Sequence, residues 1–220
     1  MSIFTTESPF ESNDEHRLAA FDLSSIIFHD GLRRGASRAS NRSTWALESS
    51  AGTDIYHDSI EDLHRLLKPS GWRLVFVDGQ PRLVHPGGKL SFTVSSGINV
   101  GSANMRTPRT RKKGAATRNS LAAIDLSPSL FGDKEAETAA HSAEVAESAP
   151  FYLLLCERVT RGSNGLALEF SRPAGMAEGG SVNQWRDRIA VAYLSIEGDI
   201  ETFGKPDNGD DEFDVTVEPR

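Results

Sequence analysis

Residues 72–95 constrain the fold more than any other part of the chain, because they have the pattern of three strands joined by two tight turns. The first strand, 73–77, is β-branched and aromatic, and the Asp78-Gly79 pair after it is a strong hairpin signal. A second turn, Pro86-Gly87-Gly88, precedes residues 90–95, where apolar side chains alternate with Ser and Thr. This alternation predicts one buried and one wet face, and the whole segment predicts an antiparallel meander.

Helical patterns precede the meander. Residues 14–30 carry apolar side chains near helical spacing, with Gly31 as the expected stop, and residues 54–68 carry a continuous apolar stripe. Residues 33–50 lack such a stripe and predict a loop whose contact with the core is Trp45. A helix that leads directly into a β-meander is typical of the α+β class.

The second half of the chain adds further strand patterns. Residues 151–159 form a nearly continuous apolar run, which is typical of a central strand, and residues 166–170 return after a turn. Ser181 begins a capping-box pattern that predicts a short helix through Trp185, and residues 189–196 predict another strand. Two weak edge-strand patterns lie at 200–203 and 213–217.

Together these patterns predict one α+β domain over residues 14–220, preceded by a flexible arm at 1–13. Its sheet is mainly antiparallel, with about five to seven strands, and two N-terminal helices cover one face. A long basic loop or linker insertion occupies about 97–149, and the C-terminal segment 197–220 is acidic.

Positive charge is concentrated in two stretches that contain no acidic residue. Between residues 79 and 124 there are eight Lys or Arg residues and no Asp or Glu, and residues 31–47 add four arginines. The rest of the chain is strongly acidic, because the net charge is −7. Like charges at this density repel one another, so the basic loop is expected to be mobile unless something negative binds it.

The sequence lacks the motifs of several common chemistries. Gly88-Lys89 is not followed by Ser or Thr, so no phosphate-cradling P-loop is present. The single cysteine, Cys156, excludes an internal disulfide and predicts a buried thiol. His57 and His64 are seven residues apart, too far to share a metal without other ligands, and His85 before a proline predicts a turn-capping hydrogen bond. No cofactor or metal is predicted.

No apolar run reaches about 18 residues, and no secretory signal is visible, so a cytoplasmic protein without a membrane partner is expected. The strand carboxylates Glu157 and Glu169 could face each other across a hairpin, but acid–base catalysis needs two such groups that converge in a cleft. The structural interpretation, in which Arg158 or Arg172 neutralises them, is favoured.

We therefore predict a non-catalytic accessory or regulatory protein that docks a macromolecule through the basic loop. The partner is the phosphate backbone of a nucleic acid or an acidic protein, and the lack of aromatic residues in the loop favours a duplex over a single strand. Two alternatives stay open, a structural component of an oligomer or larger assembly, and an enzyme whose site gathers His57, His64 and the strand carboxylates. The expected partner contacts are Arg106, Arg109, Arg111, Lys112, Lys113 and Arg118, together with Arg33, Arg34 and Arg38.

Overall fold

A computed structural model describes residues 13–101, 106–114, 117–118, 146, 148–161 and 163–197. Within these ranges the helices are α1 (Asn13–Ala19), α2 (Ser25–Ser40) and α3 (Ser50–Leu67), followed by a 3-10 turn at Lys68–Ser70. The strands are β1 (Arg73–Val77), β2 (Gln80–Val84), β3 (Ser91–Ile98), β4 (Arg109–Thr110), β5 (Phe151–Val159), β6 (Gly165–Met176) and β7 (Val182–Ser195). The α+β prediction is confirmed.

The strands form one mixed sheet in the order β1-β2-β3-β5-β6-β7, and the short β4 pairs with the end of β3. The predicted meander is present, because β1, β2 and β3 are antiparallel neighbours, as are β5, β6 and β7. The two groups meet through a parallel pair, β3 with β5, in which Ser91 lies opposite Phe151 and Ser96 opposite Cys156. This parallel pairing has no counterpart in the sequence-based prediction.

The prediction of a single helix over 14–30, with a stop at Gly31, is wrong. The chain turns between α1 and α2, where Asp22 has a φ of 59° and the Ser24 hydroxyl accepts the amide of Ile27 to cap α2. The second helix then continues through Gly31 and Gly35. Because these glycines have no side chain, α2 can pack closely against α3 there. A Cβ at Gly35 would lie 2.9 Å from the backbone of Asp54.

The loop predicted for 33–50 is therefore helical as far as Ser40, and only its second part connects α2 to α3. Trp45 lies in that connection but does not reach the core, because 94% of its surface is exposed. The predicted second helix is confirmed as α3, which begins a few residues earlier than the apolar stripe.

Both faces of the sheet are covered. The helices pack on one face against an aromatic cluster in which the Phe28 ring lies 6.0 Å from that of Phe92 and 5.4 Å from that of Phe170. The opposite face carries a second cluster that includes Leu153 and Leu155 of β5. Consequently the polar face of β3 is buried rather than wet, and Ser95 on it is 3% exposed.

The short helix predicted at 181–185 is also wrong, because this segment begins β7. Val182 is fully buried and lies opposite Met176, which extends β6 beyond the predicted end. A tight turn joins the two strands, with the Gly180 amide donating to the carbonyl of Ala177. Of the predicted arm at 1–13, residues 1–12 lie outside the described residues. So do the segment 119–145 and the predicted edge strands at 200–203 and 213–217.

Candidate functional site

A cavity of about 880 Å³ opens where the sheet splits beside β3. The β2 strand pairs with β3 only at Phe92 and Ser91, and β4 pairs with it only at Gly97 and Ile98. Between these points, in the part of the chain that the structure describes, this edge of β3 has no strand neighbour. The first turns of α3, the β1–β2 turn, the segment 111–114 and the end of β5 surround the gap.

Residues 106–114 of the basic segment are held in place along this cavity. The Thr110 hydroxyl accepts a hydrogen bond from the backbone amide of Val182 at 3.0 Å, and the Trp185 indole donates one to the Pro108 carbonyl at 2.8 Å. The Lys113 amide donates to the Gly180 carbonyl at 2.8 Å. The expectation of a mobile loop is thus corrected here, because the β6–β7 turn and the edge of β3 satisfy its backbone.

Lys113 reaches inward from this segment. Its ammonium donates a hydrogen bond to the hydroxyl of Ser95, and burial lowers the pKa of Lys113 to about 8. No carboxylate of the described residues forms an ion pair with it. The cavity lining also includes Ser96 and Thr117, and the Thr117 hydroxyl accepts a hydrogen bond from the side-chain amide of Gln80 at 3.0 Å.

Other charged groups line the same cavity. Arg111 and Lys112 are exposed beside Lys113, and Arg158 joins them from the end of β5. The remaining titratable groups of the lining are Glu48, Tyr56, His57, Asp78, Cys156 and Glu157. Among the other predicted contacts, Arg106, Arg109 and Arg118 are exposed but do not line the cavity.

The N-terminal arginines lie elsewhere and contact acidic residues of α3. Arg34 pairs with Asp62 at 2.9 Å and Arg38 with Asp58 at 3.2 Å. Arg42 binds Asp54 through two hydrogen bonds of 2.7 and 2.6 Å, and it thereby lowers the pKa of that carboxyl. These pairs form a ladder between two helices. Arg33 lies on α2 as well and is exposed.

The strand carboxylates have structural partners. Glu157 accepts the amide of Val100 at 2.8 Å, while Glu169, which is 3% exposed on its side chain, binds Arg188 at 2.7 and 2.9 Å. Glu169 thus has an arginine partner, as the structural interpretation expected, although the arginine is neither Arg158 nor Arg172. The cavity does contain Glu157, but Glu169 does not line it.

The histidines give no metal site within the described ranges, where no three His, Cys, Asp or Glu side chains converge suitably. His57 lines the cavity and His64 does not. The predicted turn-capping role of His85 is confirmed, since its Nδ1 accepts the amide of Gly87 at 2.9 Å. Cys156 is 5% exposed, and burial raises the pKa of its thiol to about 12, as expected of a core residue.

The sequence-based prediction of the site missed Ser95, Thr117, Gln80 and Arg158. A signal for Ser95 was available, because a continuous apolar strand such as 151–159 is buried on both faces and its neighbour must be buried as well. No comparable signal marks the others, which reach the cavity through the split in the sheet.

Comparison of the chain with protein-family models, with curated proteins and with solved structures found no match. Among the described helices, none is long and apolar enough to cross a membrane. The geometry of the cavity is therefore the basis on which a function can be proposed.

Proposed function

We propose that this chain is a non-catalytic docking protein that binds a nucleic-acid strand along the basic segment 106–118. One observation carries the proposal. Arginines 34, 38 and 42 are neutralised by carboxylates of α3, whereas Arg111, Lys112 and Lys113 form no ion pair with any described residue and line a cavity. Cations left unpaired and aligned on one segment attract a polyanion, because each phosphate contact releases condensed counterions.

Two exposed aromatic side chains that lie close in sequence to cavity-lining residues favour a single strand as the partner. Trp45, which is 94% exposed, lies three residues before the cavity-lining Glu48. Phe76, which is 65% exposed, lies two residues before the cavity-lining Asp78. Bases stack on such rings while basic groups follow the backbone. The basic loop contains no aromatic residue, so this support for a single strand comes from other segments.

A mobility-shift titration against single-stranded DNA at low and at physiological salt tests the proposal. The test variant is Arg109→Gln/Arg111→Gln/Lys112→Gln, whose three side chains are exposed. We expect its affinity to fall at least about tenfold at low salt, and the slope of log K against log salt to become shallower by about 2. The control is Lys68→Gln/Arg161→Gln/Arg186→Gln, which removes three exposed charges that do not line the cavity and should bind like the wild type.

Replacing Trp45 with alanine should weaken binding to single strands by about 1–3 kcal/mol, because a stacking platform is lost. An acidic peptide is the comparison ligand. If the peptide binds more tightly than the oligonucleotide and the alanine variant binds both as the wild type does, the partner is an acidic protein. Sedimentation of the free chain as a concentration-dependent oligomer would instead favour the structural-component alternative.

An enzyme remains the second candidate, since His57, Asp78 and Glu157 do share the cavity. Following the length of the bound oligonucleotide on a denaturing gel separates the two functions. For a docking protein we expect the oligonucleotide to stay intact. If the wild type shortens it and His57→Ala does not, the function is cleavage and not docking. A cytoplasmic location, expected from the sequence, would give access to nucleic acid in either case.

A further inference from the structure

Lys113 occupies a different position from the other cations of the basic segment. Arg111 and Lys112 are exposed, whereas the ammonium of Lys113 contacts the hydroxyl of Ser95, a residue that is 3% exposed. The backbone of Lys113 is fixed to Gly180 across the β6–β7 turn. This cation is therefore held at the inner wall of the cavity, while its neighbours lie at the mouth.

The position of Lys113 is unfavourable for folding alone. A desolvated ammonium without a carboxylate partner lowers stability, and none of the described carboxylates lies within ion-pair distance of it. The carboxylate of Glu157, in the same lining, accepts the amide of Val100 instead. Sites that lower the stability of a fold are commonly retained because they bind something.

The surroundings of Lys113 match a phosphate group. The Ser95 hydroxyl already donates to the carbonyl of Ser96 at 3.1 Å, but Ser96 and Thr117 also line the cavity, and their hydroxyls supply hydrogen-bond donors for phosphate oxygens. The cavity volume of about 880 Å³ also lies within the range of about 300–1,000 Å³ that is typical of small-ligand pockets. A terminal nucleotide, and not only an inorganic anion, is thus of a suitable size.

We propose that the cavity receives the terminal phosphate of a nucleic-acid strand, with Lys113 as its innermost contact. This inference rests on the proposed function and names the part of the strand that enters. A terminal phosphate has one ester bond, so it can enter end-on, whereas an internal phosphate needs room for the chain to leave on both sides. It also carries a charge of about −1.5 to −2 at neutral pH, compared with −1 for an internal phosphate. Arg111 and Lys112 at the mouth then contact the phosphates that follow.

Fluorescence anisotropy with three forms of one labelled single-stranded oligonucleotide tests this inference. The forms carry a 5′-phosphate, a 3′-phosphate, or hydroxyls at both ends. We expect the wild-type protein to bind one phosphorylated form about tenfold more tightly than the hydroxyl form, a difference of about 1.4 kcal/mol. The phosphorylated form that is preferred identifies which end enters the cavity.

Two variants separate Lys113 from the general attraction of the segment. Lys113→Met should bind all three forms equally, whereas Lys112→Met should weaken all three and keep the preference. Equal binding of the three forms by the wild type, or a preference that survives in Lys113→Met, would overturn the inference while leaving the proposed function intact. Failure of every form to bind at low salt would remove the proposed function itself.

Discussion

Lys113→Met should be more stable than the wild type at pH 7, by about 1–2 kcal/mol. Burial lowers the pKa of Lys113 from 10.5 to about 8, so the folded state holds the ammonium less favourably than the unfolded chain does. Each tenfold change in proton affinity corresponds to about 1.4 kcal/mol. We expect less than this conversion implies, because the side chain is partly exposed and water screens its charge. Methionine keeps the aliphatic stem and removes the charge.

The gain in stability should shrink as the pH rises from about 8 towards 10.5. In that window the folded protein has released the lysine proton while the unfolded chain still holds it, so wild-type stability rises with pH. Urea unfolding at pH 7 and pH 10 measures the difference, with the exposed Lys112→Met as the control, for which a change within about 0.5 kcal/mol is expected. An equal gain at both pH values, or a loss at pH 7, would show that the buried ammonium of Lys113 does not destabilise the fold.

Arg188→Met should lower the free energy of unfolding by about 3 kcal/mol, because it leaves a buried carboxylate without its cation. Arg188 holds both oxygens of Glu169, and the Ser171 hydroxyl donates to one of them at 2.6 Å. The remaining hydrogen bonds, from Ser171 and from the amide of Gly101 at 3.3 Å, do not neutralise the charge. Urea unfolding at pH 7 measures the loss.

The matched control for Arg188 is Arg186→Met on the same strand. Arg186 is exposed and forms no ion pair with a described residue, so its replacement should change stability by less than about 0.5 kcal/mol. Similar losses in the two variants would show that the Arg188–Glu169 pair has no special contribution and that methionine is simply unfavourable at this edge of the sheet.

The strands were more predictable from the sequence than the boundaries of the helices. A turn pair such as Asp78-Gly79 determines the backbone conformation of the few residues around it, so the turn can be recognised from the local sequence. Gly31 was misinterpreted as a helix stop because the reason for it is tertiary, namely the close approach of Leu63 on α3. The same packing brings arginines at 34, 38 and 42 against aspartates at 54, 58 and 62. Both sets recur every four residues, and this shared spacing is a signal for the ladder that the sequence-based prediction did not use.

The candidate site was predictable only in part. The positive charge of the segment 106–118 is visible in the sequence. The arginines at 34, 38 and 42 look equally basic in the sequence, and only the fold distinguishes these paired cations from the unpaired ones. Ser95 and Lys113 are 18 residues apart, and Thr117 meets Gln80 across 37 residues. Contacts between residues so distant in the chain depend on where the sheet splits, which no local pattern specifies.

The parallel pairing of β3 and β5 affects the order in which the fold can form. A hairpin cannot connect two strands that run in the same direction, so the chain must return along the length of the sheet between residues 98 and 151 before this pair can form. Each half of the sheet is built from pairs of successive strands, whereas their union requires the closure of a long loop, which is entropically costly and slow. The cavity is lined from both halves, by the β1–β2 turn and β3 of the first and by the end of β5 of the second. A ligand in the cavity therefore bridges the two halves, and its binding energy stabilises the union that completes the fold.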